Sequence, residues 1–385
     1  LITENVYRKD FSMFIKKFDL SIYKITPIYF KLFDVIMKNN SLNKDNFLDS
    51  KKITPSLYRR ASKSEQKIGE NIIKKLSKVF KLKMIDSKGI DELEELLNEI
   101  YYDMYYKIYE NYDNYLNRIE ELLNKNLLIY PILNLFKLFL IANANNSPKD
   151  IISQNYCLYE DTISFSSFLE NVFSDVVDLV KLSYTQDLTD DLISKKYNLG
   201  LHYFVIASKL WISGNNTGSL YYCAKAKDLF VQEENYIRII YVNLTIMSNY
   251  NMICNFSECN QLANKQLLIL KNIRNNGIEY QTTLKHLMLS LLGLKQYEDV
   301  LSLLENKQTY NITELCYLLI SKFKTNKEEY FRYFNNEIDL NELNEKCRLI
   351  VKYLNSYLVK REKRALYELE NLKIGDVLIK ILKKL

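Results

Sequence analysis

The sequence predicts an all-α fold, with a basic head followed by a long helical body. Three observations point there. Glycine and proline, which stop helices and make tight hairpins, number 8 and 4 in 385 residues. That is about 3% of the chain, against roughly 12% in average usage. Apolar residues recur at intervals of three to four rather than two, the period of a helix face. Charge is uneven: residues 1–90 hold 20 Lys/Arg and 9 Asp/Glu, a net of +11, while the remaining residues are net −5. A chain of this length holds two or more domains. The division expected from the pattern is a DNA-binding head over residues 1–89, linking helices over 90–150 and helical repeats over 151–385.

The head reads as a succession of short helices. Residues 27–38 (PIYFKLFDVIMK) follow Thr26 as a cap and start with Pro27, which suits the first helical turn. Tyr29, Leu32, Phe33 and Ile36 form one apolar stripe. A second short helix, from 43 or 44 to 50, turns Phe47 and Leu48 inward. Lys51 and Lys52 make a tight link, and Thr54-Pro55 is again a cap followed by proline. Residues 56–61 then run as a basic helix. Short helix, tight turn and basic second helix is the order of a helix-turn-helix.

Residues 47–60 (FLDSKKITPSLYRR) resemble the helix-turn-helix string of bacterial transcription regulators. Lys52 stands where a turn glycine is usual, and Tyr58 where a small aliphatic residue is commoner. The resemblance implies that Thr54 touches phosphate and that Ser56, Arg59 and Arg60 face the major groove of double-stranded DNA. Arginine pairs bidentately with guanine O6 and N7, so Arg59 and Arg60 are the candidates for base readout. Lys63 and Lys74 are candidates for backbone contacts. Between residues 51 and 83 lie eleven basic and two acidic side chains. Such an excess neutralises several phosphates, although charge alone equally describes a solvated lysine-rich face. Residues 68–83 follow as an amphipathic helix: Ile68, Ile72, Ile73, Leu76, Val79 and Phe80 face inward, and lysines cover the other side.

After a break at residues 87–89, with Asp91 as a cap, one or two long helices are expected to residue 124. Leu93, Leu97, Ile100, Met104 and Ile108 form a ridge that either links head to body or pairs with its twin in a dimer. Beyond residue 150, three segments align as repeats. They start at Gly214, Cys254 and Lys295, 40 and 41 residues apart, each with a small or apolar residue five and nine places on. Weaker copies are expected near Thr325 and Ala365. The stretch 213–230 (SGNNTGSLYYCAKAKDLF) resembles the turn and second helix of a tetratricopeptide repeat, with a longer period than usual. Stacked hairpins of this kind curve into a superhelix with a concave groove. In that register Trp211, Tyr241, Thr245, Ser248, Asn251 and Lys285 lie on the concave side. There Lys285 would hold a peptide carboxylate, Asn251 its backbone and Trp211 an apolar side chain.

Several chemistries find no residues to carry them. The two histidines, His202 and His286, lie near no carboxylate or cysteine cluster at ligand spacing. No phosphate-binding glycine motif and no nucleophile elbow occurs. The six cysteines form no C-x-x-C pair and read as free thiols of a reducing compartment. Neither a signal peptide nor a membrane span is apparent, so a cytoplasmic protein without catalytic residues, metal or cofactor is expected. A helix-turn-helix head followed by degenerate tetratricopeptide-like repeats resembles the peptide-sensing transcription regulators of Gram-positive bacteria and their phages. That resemblance implies a short signalling peptide in the repeat groove, quorum sensing as the context and a homodimer on DNA. A helical-repeat scaffold that binds a protein partner without DNA is the alternative. For the dimer two apolar faces are candidates: the 93–104 ridge, and the C-terminal face of Ile374, Val377, Leu378, Ile381, Leu382 and Leu385.

Overall fold

The computed structural model describes residues 16–63, 67–144, 148–305, 307, 309–340 and 342–385. Among the described residues there are 21 α-helices and, apart from an isolated bridge between Lys83 and Leu127, no β-pairing. The all-α expectation therefore holds. No helix among the described residues is long and apolar enough to cross a membrane.

The helices fall into two compact units. One comprises the chain up to Ile206 together with Asp228–Arg238; the other comprises Ala207–Lys227 and Ile239–Leu385. This division falls elsewhere than at residues 89 and 150. The first unit keeps the basic head in one body with the helices that follow it, because those helices bury the head's entry segment.

The first unit begins with a 3-10 turn, Ser21–Lys24, and continues with α1 (Thr26–Asn39), α2 (Lys44–Ser50), α3 (Pro55–Ala61) and α4 (Lys67–Val79). Then follow α5 (Ser87–Tyr105), α6 (Tyr112–Asn124), α7 (Tyr130–Ala144), α8 (Pro148–Ile163), α9 (Ser166–Tyr184) and α10 (Asp190–Ser194). Helix α1 takes Ile25, not Thr26, as its N-cap. Helix α5 starts one turn earlier than expected: the Asp86 carboxylate accepts from Gly89 N at 2.8 Å, and Gly89 lies within the first turn. The apolar stretch after residue 127 becomes α7, whose Ile132, Leu133, Phe136 and Leu140 are fully buried. Phe18, ahead of α1, packs its ring on Tyr101, Phe136 and Phe173 at 4.8, 5.6 and 4.9 Å. The side chains of Lys67 and Ile68 and residues 145–147 lie outside the described residues.

From residue 200 the chain is a succession of helices joined by short turns. These are α11 (Gly200–Ile212), α12 (Asn216–Gln232), α13 (Tyr236–Met252), α14 (Phe256–Asn272), α15 (Ile278–Gly293) and α16 (Tyr297–Leu304). After them come α17 (Ile312–Thr325), α18 (Lys327–Asn336), α19 (Glu345–Lys360), α20 (Lys363–Asn371) and α21 (Asp376–Lys384). The residues five and nine places beyond the three repeat starts are Ser219 and Cys223, Cys259 and Ala263, and Val300 and Leu304. All six are buried. Four of them, Ser219, Cys223, Cys259 and Ala263, are small. Beyond Leu304 the spacing shortens, so the later pairs do not continue the 40-residue metre.

One backbone device closes these helices. Gly214, Glu234, Cys254, Arg274 and Lys295 all have positive φ, between 52° and 83°. The N–H of the next residue returns to a carbonyl five residues back: Asn215 to Leu210, Asn235 to Phe230, Asn255 to Tyr250, Asn275 to Leu270 and Gln296 to Leu291, at 2.8–2.9 Å. This is the Schellman closure, which satisfies the carbonyls a helix leaves open. Only the first of the five uses glycine.

Both apolar faces considered for a dimer are consumed within their own unit. Leu93, Leu97, Ile100 and Met104 are buried in the first. Val377, Leu378, Ile381 and Leu382 pack in the core of the second with Leu354, Tyr357 and Leu369. The C-terminal face thus docks on its own body, and neither face is available to a twin.

Candidate nucleic-acid surface and repeat face

In the head, α2 and α3 are set by two side-chain caps and a buried hinge. Asn43 Oδ1 accepts from Asn46 N at 3.1 Å, and Thr54 Oγ1 accepts from Leu57 N at 3.3 Å. Between the helices, Ile53 N returns to Leu48 O at 2.9 Å, and both side chains are buried. Lys52 adopts φ +56°, the left-handed conformation that favours glycine, so a turn glycine's conformation is kept without the glycine.

Tyr58 anchors α3. Its ring lies 4.8 Å from that of Phe30, and its hydroxyl donates to Asp34 Oδ1 at 2.8 Å and to Phe30 O at 3.1 Å. Lys44 pairs with Asp34 at 2.7 Å and lies over the Tyr58 ring. Burial, and then the Asp34 carboxylate, push the phenol's pKa far above its ordinary value. Tyr58 therefore stands where a small aliphatic residue is commoner because its hydroxyl has a partner.

With Tyr58 and Ala61 facing inward, the other face of α3 is left to solvent. Thr54, Ser56, Arg59, Arg60 and Lys63 are all exposed. The Thr54 and Ser56 hydroxyls lie 3.2 Å apart. Arg59, Arg60 and Lys63 form no ion pair with a described residue. On α4, Lys74 is exposed and 4.0 Å from Glu70. Lys52, Lys75, Lys78 and Lys81 are exposed as well. They extend the cationic surface around the α2–α3 turn and along α4, on the lysine-covered side expected from the sequence. Exposed guanidinium and ammonium groups suit phosphate oxygens, and the guanidinium forks also suit base edges.

The six repeat-face residues all fall in the second unit. Trp211 and Lys285 are exposed. Tyr241 donates to Glu279 Oε1 at 2.5 Å, and Thr245 donates back to Tyr241 O within its own helix. Ser248 and Asn251 meet at His286: Ser248 Oγ lies 3.3 Å from Nε2, and Asn251 Nδ2 lies 3.2 Å from Nδ1. Asn251 is 1% exposed. It holds His286 in the interior and does not offer its amide to a peptide backbone. A side chain expected on the concave face is thus a core residue, because α13 carries polar groups on its packed side too. His286 went unnoticed as its partner, and the only sequence signal was its place on the helix that carries Lys285. Desolvation, and then Lys285 beside it, lower the His286 pKa to about 4.

The other histidine, His202, is fully buried, with Nε2 3.1 Å from Asp175 O and its ring stacked on Tyr197 at 4.6 Å. Among the described residues no group of three or more His, Cys, Asp or Glu side chains is placed to hold a metal ion. All six cysteines are free thiols. No family model, no curated protein and no solved structure matches the chain.

Proposed function

We propose that the chain is a cytoplasmic, DNA-binding transcription regulator in which α2 and α3 serve as a helix-turn-helix. On this reading the helices from α11 to α16 serve as tetratricopeptide-like repeats that take a short signalling peptide. The observation that carries the reading is the pair of exposed guanidinium groups, Arg59 and Arg60, on a helix anchored from behind by buried Tyr58. Exposed Lys63, Lys74, Lys75 and Lys78 supply charge for the backbone. The repeat half of the proposal rests on the recurring helices and short turns and on exposed Trp211 and Lys285; Asn251 drops out of the peptide-binding set. A homodimer on a palindromic site remains part of the reading, with an interface other than the 93–104 ridge or the C-terminal face.

Duplex binding by the full chain across a salt series tests it. Wild-type affinity is expected to fall steeply with salt. Lys63→Ala with Lys74→Ala should flatten the log–log slope by about 1.8, at roughly 0.9 per lost phosphate contact, whereas loss of Arg59 or Arg60 should cost discrimination between duplex sequences. Both lysine side chains are exposed, so the double variant should keep its helical circular dichroism. Wild-type protein that ignores duplex DNA at low salt would overturn the assignment in favour of a repeat scaffold for a protein partner.

A further inference from the structure

The turn between α12 and α13 differs from its counterpart one repeat later. In the first unit, Glu233, Asn235 and Arg238 are 5%, 1% and 3% exposed. The left-handed residues Glu234 and Arg274 align the two turns, and this sets Glu233 against Ile273 and Arg238 against Ile278. The two isoleucines are 58% and 78% exposed. The repeat architecture therefore does not require a buried polar cluster at this place.

Most of the cluster's bonds go to the C-terminal end of α5, and Arg238 Nη2 also reaches Asn143 Oδ1 at 3.4 Å. Arg238 Nε donates to Tyr105 O at 2.9 Å and Nη2 donates to Met104 O at 2.5 Å. Asn235 Nδ2 adds a third bond, to Tyr105 O at 3.1 Å. A cation there also meets the negative end of the helix dipole. Glu233 accepts from the Tyr105 hydroxyl and, at 2.9 Å, from Gly200 N. The opposite end of α5 holds the chain that enters the head. Asn98 exchanges bonds with Phe18 N and O at 2.8 and 3.2 Å, Glu94 accepts from Leu20 N at 2.7 Å, and Asp91 pairs with Lys24 at 2.5 Å. Helix α1 begins two residues after Lys24. A single helix of 19 residues thus joins the turn to the root of the head. The chain on either side of Asp228–Arg238 belongs to the other unit.

We infer that the 233–238 turn is a latch. Seated, its polar side chains fix the end of α5 and, through that rigid helix, the entry to the head. Force on α12 or α13 from the repeat unit, such as ligand occupancy would supply, unseats the turn and loosens the head. Buried, directional bonds give the two states a free-energy difference that a ligand can work against. The regulatory sense of the inference rests on the proposed function; the mechanical coupling does not.

Amide hydrogen exchange on the full chain separates the two. Arg238→Met should speed exchange by about tenfold or more at residues 103–106, the scale of a lost charged hydrogen bond. It should carry the same change to residues 54–63 while leaving 297–304 at wild-type rates. Ile278→Ala, at the equivalent place one repeat on, should leave 54–63 unchanged. Arg238→Lys keeps the charge and loses the fork, and it serves as the readout if the methionine variant loses its helical dichroism. Faster exchange confined to 103–106 and 233–238 would overturn the latch. If the wild-type chain ignores DNA, the proposed function falls while the exchange comparison still decides the coupling.

Discussion

Acid should destabilise the second unit through His286. Its ring accepts from the Asn251 amide at Nδ1 and faces the Ser248 hydroxyl at Nε2, an arrangement made for a neutral imidazole. An imidazolium would turn a second N–H towards the Asn251 NH2 and would have to form beside Lys285. Desolvation by burial, and then Lys285, hold the pKa at about 4, against an ordinary 6.5. Because the folded value is depressed, the unfolded chain takes up the proton first as pH falls. The folded state keeps its full advantage above about pH 6.5 and loses it progressively down to about pH 4. At pH 5 the loss amounts to about 2 kcal/mol, since that pH lies roughly one and a half units below the unfolded value and each unit is worth about 1.4 kcal/mol. Trp211 is the single tryptophan of the chain and lies in the same unit. Urea unfolding followed by its fluorescence at pH 7 and pH 5 reads the effect directly. His286→Gln should remove about 2 kcal/mol of the acid-induced loss. His202, whose burial also lowers its pKa, remains in both proteins and cancels in the comparison. Equal losses in wild type and variant would show that His286 titrates as if in water, and would refute the argument.

Three further outcomes follow from packing. Tyr58→Phe should cost about 1.5 kcal/mol, the low end for a bond to a charged group, because Asp34 is 45% exposed and keeps Lys44; protection of the α3 amides measures it. Gly293→Ala should destabilise the second unit by about 1–3 kcal/mol, against the usual helix preference for alanine, because a Cβ there would stand 2.3 Å from Phe256 Cδ2. A thermal melt followed by Trp211 shows the sign. A chain ending at Leu372 should lose the cooperative Trp211 transition rather than merely change oligomeric state, since it gives up buried Val377, Leu378, Ile381 and Leu382 at about 1.5–3 kcal/mol each.

Much of the helix order could be read from local signals. Asn43 and Thr54 cap the helices they precede, and the spacing of Gly214, Cys254 and Lys295 marks turns that do occur. These features are visible because capping and periodicity involve residues close in sequence. What stayed hidden depends on which face of a helix meets which neighbour. Asn251 and Ser248 share a helical stripe, yet one is in the core and the other half-exposed. The 93–104 ridge is equally apolar whether its partner is another copy or α7. Arg238 and Glu233 look like surface charges until Tyr105, some 130 positions earlier, supplies their partners. No periodicity within a single helix encodes such a long-range pairing.

The left-handed helix ends bear on how this architecture tolerates substitution. Eleven described non-glycine residues have positive φ, among them Ser41, Lys52, Asn126, Glu234, Cys254 and Arg361. Acidic, basic, amide, hydroxyl and thiol side chains thus occupy the same backbone state, each against a strain on the order of 1 kcal/mol relative to glycine. The closure is made by main-chain atoms, so it does not depend on the side chain at that point. A substitution at such a turn is therefore expected to cost that strain and little more, with the main-chain closure kept.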